Sequence, residues 1–133
     1  MKNQMQFIRN CGLVILTMSC LLTGCSNAGK AGIKAMEEED YKEAVTQFTQ
    51  AASTAEAKGK KEDAAEAYRG LGMAYYELKE YDKSISDFSK SIELDPDELK
   101  AYQNRGDAYC NLGNYDEAIK DFAMVSQLEK NFK

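Results

Sequence analysis

Residues 65–98 read AEAYRGLGMAYYELKEYDKSISDFSKSIELDPDE, and residues 99–132 read LKAYQNRGDAYCNLGNYDEAIKDFAMVSQLEKNF. Shifted by 34 positions, Tyr68 falls on Tyr102, Gly72 on Gly106, Tyr75 on Tyr109 and Leu78 on Leu112. The match continues through Tyr81 with Tyr115, Asp82 with Asp116, Ile85 with Ile119, Asp87 with Asp121 and Phe88 with Phe122. Self-similarity at such a period marks units that bury their apolar faces only by stacking on one another. An earlier copy lies 40 positions upstream, where Tyr41, Ala44, Phe48 and Ala51 correspond to Tyr81, Ser84, Phe88 and Ser91. The six extra residues fall within 57–64, around Lys58-Gly59-Lys60-Lys61. That run predicts a turn, or a loop joining helices longer than the repeat requires.

Each copy reads as two amphipathic helices, about 28–39 with 42–57, 64–78 with 82–94, and 98–112 with 116–130. Turns fall at Asp40-Tyr41, Glu80-Tyr81 and Asn114-Tyr115. Asp95-Pro96 separates the second copy from the third, with Asp95 suited to capping the next helix. The single proline and the abundance of Ala, Glu, Lys and Leu favour helix throughout. A glycine inside a helix costs about 1 kcal/mol relative to alanine, so Gly72 and Gly106 need a compensating close approach. Crossings at Gly72 with Ser84 and at Gly106 with Ala118 supply it, with Tyr75, Phe88, Tyr109 and Phe122 on the flanks. Ala51 and Ser91 are small where the following copy must nest.

This Tyr…Gly…Tyr…Tyr…Ala/Ser…Phe…Pro order resembles the tetratricopeptide repeat family. The resemblance covers about 25–130 and implies an all-α fold, a right-handed α-solenoid of about three repeats. They occupy about 28–57, 65–98 and 99–132 of a body spanning 30–133. The first copy is degenerate: it keeps Gly32 but lacks the aromatic residues before its turn.

The first residues follow another plan. Lys2 and Arg9 give a positive start, Cys11 to Leu22 is nearly continuously apolar, and Thr23 and Gly24 follow. A dozen helical residues span roughly 18 Å, short of a bilayer core of roughly 30 Å. Leu22-Thr23-Gly24-Cys25 resembles the lipobox of bacterial lipoproteins. The resemblance implies removal of 1–24, a lipid on the Cys25 thiol, and 25–29 as lipidated cysteine and short tether. Those few residues reach roughly 15 Å at about 3.5 Å each, which predicts a body held close to the bilayer. An extracytoplasmic location follows, on the cell membrane, or on the outer membrane in a cell with two, which Ser26 would favour. The alternative reading of 1–24 is a buried N-terminal helix, which leaves Lys2 and Arg9 flanking an apolar rod with no core to enter. Of four cysteines, Cys110 is then left without an intramolecular partner, either as an inert helical thiol or for pairing between chains.

In the tetratricopeptide repeat family, first helices line a concave groove that holds peptides or partner proteins. Carried over place by place, the groove residues are Ile33, Met36 and Glu37, then Glu66, Arg69, Met73, Tyr76 and Glu77. The third copy contributes Lys100, Gln103, Asp107, Cys110 and Asn111. Met73 and Tyr76 are the expected anchors, an adaptable thioether and an amphipathic ring; alternatively, both complete the core between repeats. Family members that clamp a chaperone's C-terminal carboxylate use several cations, but the corresponding places here hold Gly29, Ile33, Gly70, Lys100 and Asn104. That speaks against such a clamp.

A second candidate surface is an apolar stripe of Met124, Val125, Leu128 and Phe132 on the last helix, for self-association or partner docking. Simple covering by long side chains is the alternative. Glu37-Glu38-Glu39-Asp40 reads as a solvated helix end rather than a cation site. The net charge of −5 and the lack of a basic stripe argue against nucleic acid. With no histidine in the chain, the commonest general base and most zinc patterns are missing, and Gly70-Leu71-Gly72 lacks the rest of a phosphate loop. The expected role is a membrane-anchored adaptor or scaffold without cofactor or catalysis. A self-assembling envelope protein and a regulatory subunit of a membrane complex are the other readings.

Overall fold

The computed structural model describes residues 26–131. The expected signal segment 1–24, the lipidation site Cys25 and Phe132 lie outside the described residues. Six helices occur in those residues: α1 (Ser26–Glu37), α2 (Tyr41–Ala57), α3 (Lys61–Glu77), α4 (Tyr81–Leu94), α5 (Leu99–Asn111) and α6 (Tyr115–Asn131). Each packs mainly on its neighbours in sequence, with first helices touching across copies (α1 on α3, α3 on α5), so the described residues form three stacked hairpins.

The turns within hairpins share one backbone solution. Glu39, Lys79 and Gly113 occupy the same place with φ of 58°, 61° and 77°, the left-handed region that costs any residue but glycine about 1 kcal/mol. Gly59 does the same between α2 and α3, at φ 66°. Asp40 starts α2 by accepting the Glu43 amide at 3.1 Å, which satisfies one of the orphan donors of the first turn.

The crossings expected from small residues are present. Ser84 donates to the Gly72 carbonyl at 2.7 Å and is fully buried. A Cβ on Gly72 would stand 2.6 Å from the Phe88 ring, and one on Gly106 would stand 2.8 Å from Phe122. Phe48 is held most tightly, between Gly32 of its own hairpin (2.7 Å) and Gly70 of the next (2.5 Å). Around it lie Ala28, Ala35, Ala44, Ala51, Ala52, Ala67, Leu71 and Ala74, so the first two hairpins share one core.

The six extra residues make no loop. Helix α2 has 17 residues against 14 in α4, and α3 has 17 against 13 in α5. The added length is buried where Ala55 and Ala64 meet Leu94.

Two expectations need correction. The stretch after residue 25 is not a free tether, because α1 begins at Ser26 and Ala28 is buried in the core. Asp95 does not cap α5; it ends α4 and accepts the Asp97 amide at 3.2 Å. Glu98 stands at the cap position and turns its carboxylate elsewhere.

Candidate binding groove

Small residues between α1 and α3 leave a hollow where bulkier ones would have closed it. A cavity of about 780 Å³ lies there, floored by Phe48, Ala51, Ala67 and Gly70. Ile33, Met36 and Met73 line its sides, and Glu37, Lys30, Lys60, Asp63, Glu66 and Arg69 its rim. Ile33 is 47% exposed and Met73 37%, and both border the same hollow, so their exposure is grouped rather than scattered. An apolar floor ringed by a few polar groups is the usual form of a binding site.

The rim charges are partly spoken for. Lys60 pairs with Asp63 at 3.4 Å. Arg69 pairs with Glu98 at the start of α5 and reaches the Met73 sulfur at 3.6 Å. The structure therefore brings together Ile33, Met36, Glu37, Glu66, Arg69 and Met73 of the expected groove residues. It does not bring in the rest.

Tyr76 belongs to the seam between the second and third copies. Its hydroxyl accepts the Asn111 amide at 2.9 Å, and its ring meets Tyr81 edge-on at 5.4 Å. Met73 is thus exposed beside the cavity, while Tyr76 ties helices together. Glu77, Lys100, Gln103 and Asp107 are exposed along α3 and α5, Cys110 is a half-buried free thiol, and none of them lines the cavity.

The seam between α4 and α5 is filled by polar groups that the sequence reading did not single out. Ser91 is fully buried, with its hydroxyl 2.8 Å from the Ala65 carbonyl and 2.9 Å from Glu98. Arg105 makes a two-pronged bond to Asp121, at 2.6 and 2.8 Å, and donates to Ser89 at 2.9 Å. A break in the period marked this site: Leu71 stands where the next copy has Arg105. The companion Asp121 was hidden, because Asp87 occupies its place in the second copy.

Asp87 shows what happens without the arginine. Half-buried, its carboxyl is pushed up to about 6 by loss of water. Burial also raises the Tyr68 hydroxyl, helped by its 3.0 Å bond to Glu56 and by the nearby Asp87 charge.

The last helix also differs from expectation. Leu128 is buried, Met124 and Val125 are half-buried, and the three do not make an exposed stripe. The large apolar side chains exposed on this helix are Tyr115, Ile119 and Phe122. Among the described residues no helix is long and apolar enough to cross a membrane.

Stacked hairpins with a hollow between first helices define an α-solenoid with an open groove. The tetratricopeptide repeat profile matches residues 65–98, and a second profile of the same description matches 88–120, so the stretch 65–120 is similar to tetratricopeptide repeats. No curated protein matches the sequence. Similar solved structures include the second repeat domain of Spaghetti (RPAP3) bound to the HSP90 peptide SRMEEVD, 26% identical over 80% of this chain and 93% of that one, TM-score 0.72. MamA is 28% identical over 82% of this chain, TM-score 0.74, and the chain spans only 60% of its length. The Arabidopsis OM64 repeat domain is 27% identical over 80% of this chain and 83% of that one, TM-score 0.71.

Proposed function

We propose that this protein is a membrane-anchored adaptor that holds a segment of an extracytoplasmic partner protein in the cavity between α1 and α3. The observation that carries the reading is the apolar floor under two large side chains left open, Ile33 and Met73. A segment that filled the hollow with an apolar side chain would remove both from water, at roughly 25 cal/mol per Å² of surface covered. The peptide seen on the Spaghetti domain supports a peptide or protein ligand here too. The acidic tail of that peptide does not transfer, because Gly70 lies against Phe48 and Ile33 stands where a clamp needs a cation. The role is binding rather than catalysis.

Anchoring rests on the Leu22-Thr23-Gly24-Cys25 resemblance and has its own test. Cys25→Ala should abolish incorporation of labelled lipid and move the protein out of the membrane fraction. Unchanged labelling would sink the anchor and leave the groove standing. For the groove, full-length protein carrying a photo-crosslinking residue at Met73 should capture one partner from native envelopes. Ile33→Asp, an exposed change that spares the fold, should cut that capture at least tenfold. Capture indifferent to Ile33→Asp removes the cavity from the function.

A further inference from the structure

The cavity between α1 and α3 has two unlike ends. Near the starts of these helices Lys30 and Glu66 line it with opposite charges, and Lys60 is paired with Asp63, so that end carries no net sign. Further along, Ile33 and Met73 hold the same place in successive copies, and one turn beyond them stand Glu37 and Glu77, which correspond in turn. Glu37 lines the cavity itself. Among the described residues neither glutamate has an ion-pair or hydrogen-bond partner, and Lys34, the cation in the last turn of α1, is taken up by Glu38 at 3.6 Å.

Helix stability does not account for these two carboxylates. They are the last residues of α1 and α3, and the carbonyl end of a helix favours a cation there. Helix α5, whose residues do not line the cavity, ends on Asn111 instead. Loss of water, and then the charges of Glu77 and Glu39, raise the Tyr41 hydroxyl above its ordinary value, so carboxylates of two copies act on one spot at this end.

The hollow therefore offers an apolar wall with uncompensated negative charge one turn further on. That turn is four residues, about 6 Å along the axis. In an extended segment lying along α1, side chains two places apart leave on the same face, roughly 6.6 Å from each other. An apolar side chain seated by Ile33 and Met73 brings the side chain two places away to Glu37 and Glu77, where a cation is attracted and an anion repelled.

We propose that the cavity selects partner segments in which a Lys or Arg stands two places from the apolar residue that fills it, which rests on the adaptor reading above and states its partner's chemistry. The probe is a library of random linear peptides panned on the full chain, followed by titration of one enriched peptide carrying a fluorophore. Enriched sequences should share an apolar residue with Lys or Arg two places before or after it. Glu37→Lys together with Glu77→Lys should weaken the titrated peptide at least tenfold. The melting temperature should stay level or rise, since both helix ends then carry a cation. Exchanging the peptide's basic residue for Glu should restore binding to that variant, and Ile33→Asp should abolish binding altogether. Enrichment of apolar peptides without the basic residue, or titration indifferent to the double change, overturns the proposal, while loss of binding with Ile33→Asp still keeps the groove. Indifference to Ile33→Asp removes the groove as well. No enrichment at all overturns the proposal, and so does a concentration-dependent dimer of the full chain that the double change abolishes, because the occupant is then a second copy.

Discussion

The first and second junctions between hairpins are built from corresponding helices and end as different materials. The first is apolar: Phe48 fits between two glycines, alanines surround it, and a hollow remains beside it. The second is polar: Arg69 and Ser91 with Glu98, Arg105 with Ser89, and Tyr76 with Asn111 tie it shut, while Asp121 holds Arg105 in place from within the third hairpin. One repeat pattern thus yields a place to receive something and a place that holds itself together. The positions that differ between copies, Leu71 against Arg105 and Gly70 against Asn104, decide which.

The comparison breaks most easily at Phe48. Phe48→Ala should cost about 4 kcal/mol, as for a core aromatic touching two hairpins, whereas Phe122→Ala, a partly exposed counterpart, should cost about 1 kcal/mol. Equal losses in urea unfolding would show that the first junction is not the shared core described here. In the second junction, Arg105→Leu copies Leu71 into the third hairpin and leaves Asp121 buried at 4% exposure without its cation. A loss of about 3 kcal/mol is expected, largely restored by adding Asp121→Ala. If the double variant is as weak as the single one, the pair is not a unit.

The smallest effect sharpens the contrast from the other side. Asp87 sits in the fold with a carboxyl at about 6, above its ordinary value, so its charged form is disfavoured by folding. Its contribution is most favourable below about pH 4 and is lost as pH rises through about 6. Discounted for solvent screening, Asp87→Asn should gain about 1 kcal/mol over the parent at pH 7 and nothing at pH 4. A gain independent of pH would assign the effect to packing instead.

Most of the architecture was legible because it rests on recurrence. Helix pairs, turns and the Gly72–Ser84 crossing follow from small and large residues returning at fixed spacing, and a period survives errors of a residue or two. The groove was half legible. Ile33, Met36, Glu37, Glu66, Arg69 and Met73, carried over from the family resemblance, line one cavity, but Tyr76 does not, because which side of a seam a ring falls on depends on a partner 35 residues away. Leu128 was read as exposed from its helix alone, and tertiary packing buried it. Asp95 looked like a cap because Asp-Pro precedes helices, whereas the structure uses Glu98 at that place and spends its charge on Arg69.

Helix α1 starts at Ser26, and Gly29 and Lys30, three and four residues on, already line the cavity. At about 1.5 Å per helical residue, the hollow begins less than a nanometre from Ser26. A chain fastened at Cys25 would therefore have no slack in its leash. Its guest could not be fished from solution at arm's length and would have to come to the lipid surface itself, so the mooring point would choose among guests by where they are as well as by what they are.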